Sequence, residues 1–390
     1  MRVLAITPIF PNRLEPLYGP YNRQQFRALQ ESCGDEVRVL CAVPYLPGAS
    51  ILGKPERTAK LAALPKEDTF DGLETRYLRR WYVPAVGSAV GVPLYLASLA
   101  PHRDLWNWAD VILGTWAYPD GCAAVLLAKA VGKPCVVKVH GSDVNVIAQK
   151  KVARAVLRRV LPRADALVTV SRAMGDELGK LGVERVFLVP NGIDRKLFGQ
   201  SIERGEARRR LGLETVGPVV LFVGRIEPQK GIGELLQAFE RVHRERPDVT
   251  LALVGDGVMR GEAEAAAGRF GGKLRVTGAR PFAEMPLWMA ACTLVCLPSW
   301  NEGTPNVLLE GLASGRPAVG TAVGGIPDVL ADPGTGLLVP VRDAAALAGG
   351  LLEALARTWD PDAVRVHGPV PWETSAAILH DVLEGARRLG

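Results

Sequence analysis

The sequence predicts an α/β protein built from two doubly wound, parallel-sheet domains. Three observations point there. Short aliphatic and β-branched runs alternate with helical patterns along most of the chain. The alternation stops once, in a turn-rich and charged stretch, and then restarts. At 390 residues, with 48% hydrophobic and 23% charged, the chain is long and apolar enough for two cores.

In the first series the strands are expected at 2–9, 36–43, 73–80, 110–116, 134–140, 166–171 and 185–190. Most of them are apolar runs, as in strands buried on both faces. Helical patterns lie between them, for example 21–32 and 145–160. Val189-Pro190-Asn191-Gly192-Ile193-Asp194 then breaks the rhythm, and strand-free sequence with Arg204 and Arg208-Arg209-Arg210 follows to about 215. The boundary is therefore placed near 192, giving domains 1–192 and 193–371. The second series has strands near 218–224, 249–254, 274–278, 292–297, 317–322 and 336–341. Trp372 to Leu389 carries apolar residues at 378, 379, 382, 383 and 386, the spacing of an amphipathic helix.

Charge and cysteine usage narrow the function classes. A net charge of +6 permits an anionic ligand or an acidic membrane surface, but does not argue for nucleic acid. None of the six cysteines forms Cys-x-x-Cys. Cys292 and Cys296, on one predicted strand, would stand roughly 13 Å apart, too far for one disulfide or one metal ion. Free buried thiols in a reducing compartment are expected. The first residues turn into a strand too soon for a signal peptide, which fits a cytoplasmic protein. The uncharged stretch 81–101 is interrupted by Gly87, Gly91 and Pro93, so a spanning helix is not expected.

Chemistry concentrates at strand ends. The run Cys292–Pro298 leads into Asn301-Glu302-Gly303-Thr304-Pro305-Asn306-Val307, with a helix expected from about Pro305 to Gly315. Helix-start N–H groups attract an anion. Glu302 and Glu310 beside them suit an anion that also carries hydroxyls, because carboxylates only accept hydrogen bonds. Gly224-Arg225-Ile226-Glu227-Pro228-Gln229-Lys230-Gly231 sets one cation at a strand end and another at a helix start. Both could converge on a diphosphate, each contact worth about 4 kcal/mol before desolvation. Solvated surface charges are the bland alternative.

Three further motifs are weaker. His140-Gly141-Ser142-Asp143 follows a strand, where ligands collect in open parallel sheets, although a lone histidine is often structural. Tyr18-Gly19-Pro20 is either a plain turn or a place where ligand meets backbone. The stretch 149–163 sets Lys150, Lys151, Arg154, Arg158 and Arg159 beside Ile147, Val152, Val156, Leu157 and Val160, a solvated face or a contact for anionic lipid. The first strand ends in Thr7-Pro8-Ile9-Phe10-Pro11 rather than Gly-x-Gly-x-x-Gly, which argues against a dinucleotide dehydrogenase. Asp360-Pro361-Asp362 stands apart from every other candidate and is read as chance, so no metal is expected.

Together, Glu302-x7-Glu310, the Gly224-Arg225…Lys230-Gly231 element, His140–Asp143, Val189–Asp194 and Val323-Gly324-Gly325 resemble the retaining glycosyltransferases of family four, in order along the whole chain. The resemblance implies the GT-B architecture, two facing Rossmann-like domains with an interdomain cleft, and a terminal helix that packs back on the first domain. It implies a nucleotide-sugar donor, a saccharide or lipid-linked acceptor, and no metal or other cofactor. By that resemblance Arg225 and Lys230 would bind the diphosphate, with Gly224 beside them. Glu302 with the backbone of Gly303, Thr304, Pro305, Asn306 and Val307 would hold the sugar and distal phosphate, and Glu310 the ribose. Arg280 would mark the base, Gly19 the diphosphate from the first domain, and His140 the region near the reacting carbon. His140 and Glu302 are given orienting and stabilising roles rather than covalent ones. The first loop has one glycine before Pro20, where many relatives have two. A sugar phosphorylase, a nucleotide-sugar epimerase and a non-catalytic membrane-surface binder remain open on the same residues.

Overall fold

A computed structural model describes residues 1–16, 18–45, 56–81, 87–140, 150–213 and 217–389. Gly141 to Asp143 and the start of the 145–160 pattern lie outside the described residues. The chain divides into two compact units, Met1–Gly192 with Trp372–Gly390, and Ile193–Pro371.

The first unit holds β1 (Arg2–Thr7), β2 (Glu36–Tyr45), β3 (Glu67–Phe70), β4 (Leu73–Trp81), β5 (Val111–Thr115), β6 (Cys135–Lys138), β7 (Ala166–Thr169) and β8 (Val186–Leu188). Their order is β3-β4-β2-β1-β5-β6-β7-β8, parallel throughout except for β3 against β4. β1 has almost no side chain in water because both faces are covered. Val3 and Ala5 pack with Phe26 and Leu29 of the helix Pro20–Cys33 and with Leu379 and Leu383 of the helix Trp372–Leu389. Leu4 and Ile6 face the opposite layer, with Tyr95, Ala124 and Leu157. The sequence reading has no β3. Its signal is Asp71-Gly72, both at positive φ (53° and 78°), as a two-residue hairpin turn requires.

The second unit holds β9 (Val219–Val223), β10 (Thr250–Val254), β11 (Leu274–Val276), β12 (Leu294–Leu297), β13 (Ala318–Thr321) and β14 (Gly336–Val339). The order is β11-β10-β9-β12-β13-β14, all parallel. In each sheet the chain order reverses once, between β1 and β5 and between β9 and β12. A crevice opens at such a reversal outside the carboxyl ends of the strands, because the flanking crossovers leave in opposite directions.

Cys292, Asp360 and Val152 are placed differently from the expectation. Cys292 lies before β12, closing the helix Met285–Ala291, and all six cysteines are free thiols. Burial pushes the Cys41 and Cys122 thiols up to about 12 and Cys292 to about 11, so these are inert packing residues. Asp360 does not trail the last helix of its unit. Its side chain accepts from the Asp362 N–H and starts the helix Pro361–Val366. In the helix Lys151–Val160 the inward residues are Ala153, Leu157 and Val160, while Val152 is 48% exposed on the charged side. The uncharged stretch contains the helix Gly87–Leu99, with Pro93 inside it. Among the described residues no helix is long and apolar enough to cross a membrane.

Candidate functional site

The reversal between β9 and β12 brings distant segments onto one another. After β9 the chain runs through Gly224 and Arg225, buries Ile226, and makes a single tight turn over Pro228–Lys230. Gly231, at φ 69°, then opens the helix Ile232–Glu245, whose Ile232, Leu235, Phe239 and Val242 face the core. A Cβ on Gly231 would lie 2.0 Å from the Pro298 carbonyl oxygen, so only glycine fits between the two loops. The Trp300 N–H donates to the Gln229 carbonyl at 2.8 Å, joining them further. The turn after β13 closes the set. A Cβ on Gly324 (φ 55°) would sit 1.7 Å from the Glu302 carbonyl oxygen, which accepts from the Gly325 N–H at 3.3 Å.

The side chains on this frame differ sharply. Lys230 Nζ donates to both oxygens of Glu302, at 2.9 and 2.7 Å, with the two side chains only 20% and 13% exposed. Arg225 is 72% exposed and reaches Glu227 at 3.0 Å. The sequence reading expects both cations to converge on one diphosphate, Arg by its fork and Lys as a point charge. Instead Lys230 is anchored in the loop frame and Arg225 extends into solvent.

Beyond Glu302, Gly303, Thr304, Asn306 and Val307 are half-buried and Pro305 is buried. Pro305 stands just before the helix Asn306–Ala313 rather than within its first turn, and its carbonyl accepts from the Leu308 N–H at 2.8 Å. Glu310, one turn inside, is 5% exposed; its backbone carbonyl accepts from Ser314 Oγ at 2.9 Å, and its carboxyl has no hydrogen-bond partner among the described residues. Burial alone pushes its pKa up to about 8, which favours the protonated carboxyl at neutral pH. Gly315, at φ 70°, stands just past the end of this helix, where a left-handed residue is expected. Arg280 is exposed past the end of β11, two strands from β9 at the same sheet edge.

Trp300 is absent from the sequence reading. Its indole N–H donates to Glu234 at 3.0 Å, and the Arg342 guanidinium lies 4.2 Å from its ring centroid. It fastens the loop after β12 to the helix after β9. A lone tryptophan between Ser299 and Asn301 was the available signal.

In the first unit, Thr7 ends β1 and accepts from Thr115 Oγ1 at 2.6 Å and from Asn22 Nδ2 at 3.3 Å. Asn22 also donates to the Ile9 carbonyl at 2.9 Å. Gly19, at φ 76°, presses on Ile9, so the turn itself requires glycine there. His140 follows β6 with its ring 6.1 Å from Trp116, and Trp116 is held at φ 80°, a strained value for an aromatic residue. Burial and the neighbouring Lys138 amine hold the His140 pKa well below the usual histidine range, leaving a neutral imidazole. Lys138, a lysine inside an apolar strand, is also absent from the sequence reading. Among the described residues no cluster of three or more His, Cys, Asp or Glu side chains is arranged to hold a metal ion.

Residues 18–192 match the family described as Glycosyl transferase 4-like domain, and residues 217–357 match Glycosyl transferases group 1. The chain is 29% identical over 381 residues to the putative teichuronic acid biosynthesis glycosyltransferase TuaC of Bacillus subtilis, covering 93% of this chain and 91% of that one. It is 34% identical over 306 residues to the alpha-maltose-1-phosphate synthase of Mycolicibacterium smegmatis, covering 71% and 78%. Among solved structures, it is similar to a sucrose-phosphate synthase from Thermosynechococcus elongatus (TM-score 0.71, 20% identity, 100% of this chain and 98% of that one). It is also similar to Anabaena HepE in complex with UDP and glucose (TM-score 0.69, 18% identity, 98% and 99%). These structural likenesses show a GT-B fold.

Proposed function

Because this chain belongs to the group 1 glycosyl transferases, we propose that it moves a sugar from a nucleotide-diphosphate donor to a saccharide or lipid-linked acceptor, with retention and without a metal. The observation that carries this reading is the Lys230–Glu302 clasp at the β9/β12 reversal, with Glu310 buried one turn behind it. An ammonium group has three donors. Glu302 takes two of them at 2.9 and 2.7 Å, and the third can meet a phosphate oxygen. That donor and the N–H groups before Asn306 stabilise charge building on the departing diphosphate. The Glu302 carboxylate has further lone pairs for sugar hydroxyls, Glu310 for those of the ribose, and the chain near Arg280 receives the base. Arg225 approaches the diphosphate from solvent, beside Gly224. His140 and Gly19 serve from the first unit, His140 as a neutral orienting group near the reacting carbon.

The acceptor proposed is a cell-surface polysaccharide or glycolipid precursor, supported by the teichuronic acid biosynthesis named for one relative. Contact with anionic lipid at the inner face of a membrane is supported by the helix Lys151–Val160, where Lys151, Arg154, Arg158 and Arg159 are exposed around an exposed Val152.

A thermal-shift screen of UDP-, GDP- and ADP-sugars tests the reading, since a ligand at a hundred times its Kd adds about 2.7 kcal/mol to the folded state. One base class is expected to raise the Tm with concentration. If none does, the donor assignment fails.

Glu310 supplies a second test. Its folded pKa of about 8 lies above the unfolded carboxyl value, so its stabilising effect is complete at low pH and fades as pH rises toward 8. Hydroxyl donors from a bound nucleotide favour the carboxylate and lower that pKa. Binding of the responding nucleoside diphosphate at pH 7 should therefore release up to about one proton. Calorimetry in buffers of different ionisation enthalpy reads this directly. Glu310→Gln should bind more weakly and release none, and equal release from that variant would remove Glu310 from the site.

A further inference from the structure

Lys138 breaks the pattern of its strand. Cys135, Val136, Val137 and Val139 around it are wholly buried, and so is Lys138 itself. Its amine donates to Gln25 Oε1 at 2.5 Å, on the helix Pro20–Cys33. Gln25 Nε2 donates to Ser375 Oγ at 3.1 Å, on the helix Trp372–Leu389, and the Ser375 hydroxyl donates to the Pro190 carbonyl at 2.6 Å. All three side chains are fully buried. Among the described residues no carboxylate pairs with Lys138.

A lysine buried with only a neutral amide for a partner costs stability that an apolar side chain of similar volume would not, and burial pulls its pKa down to about 7. Local rules are broken where function needs them broken. Here the exception stands two residues before His140 and is tied to the segment that leaves the first unit.

We propose that Lys138 is a positioning residue for the transfer: held on Gln25, and through it on Ser375 and the Pro190 carbonyl, it fixes the exit of β6 that carries His140. The inference rests on the transferase reading above and adds to it a residue that touches no substrate. The relay joins β6, the first helix, the terminal helix and the end of the first unit's continuous chain in one hydrogen-bonded line. The amine also opposes protonation of His140, so the ring can both donate and accept a hydrogen bond.

The test compares the parent, Lys138→Met and Ser375→Ala. The readouts are thermal unfolding and release of nucleoside diphosphate from UDP-glucose, UDP-N-acetylglucosamine, GDP-mannose and ADP-glucose, with water taking the sugar in the acceptor's place. In Lys138→Met the Tm should hold or rise, KM for the nucleotide sugar should stay within about twofold, and kcat should fall by on the order of tenfold or more, as expected of misplaced rather than missing chemistry. Ser375→Ala should lower kcat in the same sense. A parental kcat in either variant overturns the inference and leaves the transferase reading intact. So does a kcat loss in Lys138→Met that comes with a lowered Tm or insolubility, because Lys138 would then serve folding alone. If the parent releases no diphosphate from any of the four donors, the transferase reading fails and the inference goes with it.

Discussion

Lys230→Met is expected to lower kcat for nucleotide-sugar turnover by on the order of 10²–10³, the usual effect of losing one pre-placed group that meets developing charge. Two losses combine. The donor aimed at the leaving phosphate disappears, and Glu302, only 13% exposed, is left as an unpaired carboxylate facing an incoming anion. Two like charges about 4 Å apart repel by about 4 kcal/mol at partial screening. Removing the orphan as well should therefore recover part of the loss, so Lys230→Met with Glu302→Gln should be clearly less than additive. Arg225→Met should do much less, since that guanidinium is 72% exposed and its charge is solvent-screened. Steady-state kinetics of the parent, Lys230→Met, Glu302→Gln, their double variant and Arg225→Met decides the matter. A Lys230→Met enzyme within threefold of the parent would refute the diphosphate assignment.

Gly231→Ala should disrupt the second unit itself. The new methyl would lie 2.0 Å from the Pro298 oxygen and 2.8 Å from its carbonyl carbon, and the backbone there is at φ 69°. Neither atom is a side chain that can swing away, so the loops after β9 and β12 must separate. A cost of roughly 3 kcal/mol or more is expected, or roughly 6–12 °C in the Tm of a domain of this size. Because Lys230 and Trp300 ride on those loops, nucleotide stabilisation should vanish with it. Gly233→Ala, on the following helix with nothing near its Cβ, is the control and should hold or raise the Tm. Differential scanning calorimetry of both variants would read the contrast, and a Gly231→Ala protein that melts with the parent would show that the loops do not touch as described.

The alternation of strands and helices was legible because parallel strands buried on both faces are short apolar runs with clear ends. β1 and β9, for example, begin and end within two residues of their expected bounds. β3 was missed because Glu67-Asp68-Thr69-Phe70 is polar for a strand, although Asp71-Gly72 marked its turn. At the candidate site the residue types could be read but not their pairing. Lys230 and Glu302 are 72 positions apart, and only the order β9-β12 puts them in contact. Exposure was equally hidden, since Arg225 and Lys230 look alike in a sequence. Lys138 was overlooked for the opposite reason, as one charged letter in a run otherwise read as strand.

The helix Trp372–Leu389 gives Trp372, Ala376, Leu379, Val382, Leu383 and Ala386 to a core whose remaining buried members come from the first 192 residues. On the ribosome, the half that emerges first is thus the half completed last. Until that helix is made, the apolar layer over Val3, Ala5, Phe26 and Leu29 stays open to water, while Ile193–Pro371 already carries the six strands of its own sheet. The nascent chain should finish its second half before its first, and a messenger truncated after Pro371 should yield a protein that clumps through that bare layer.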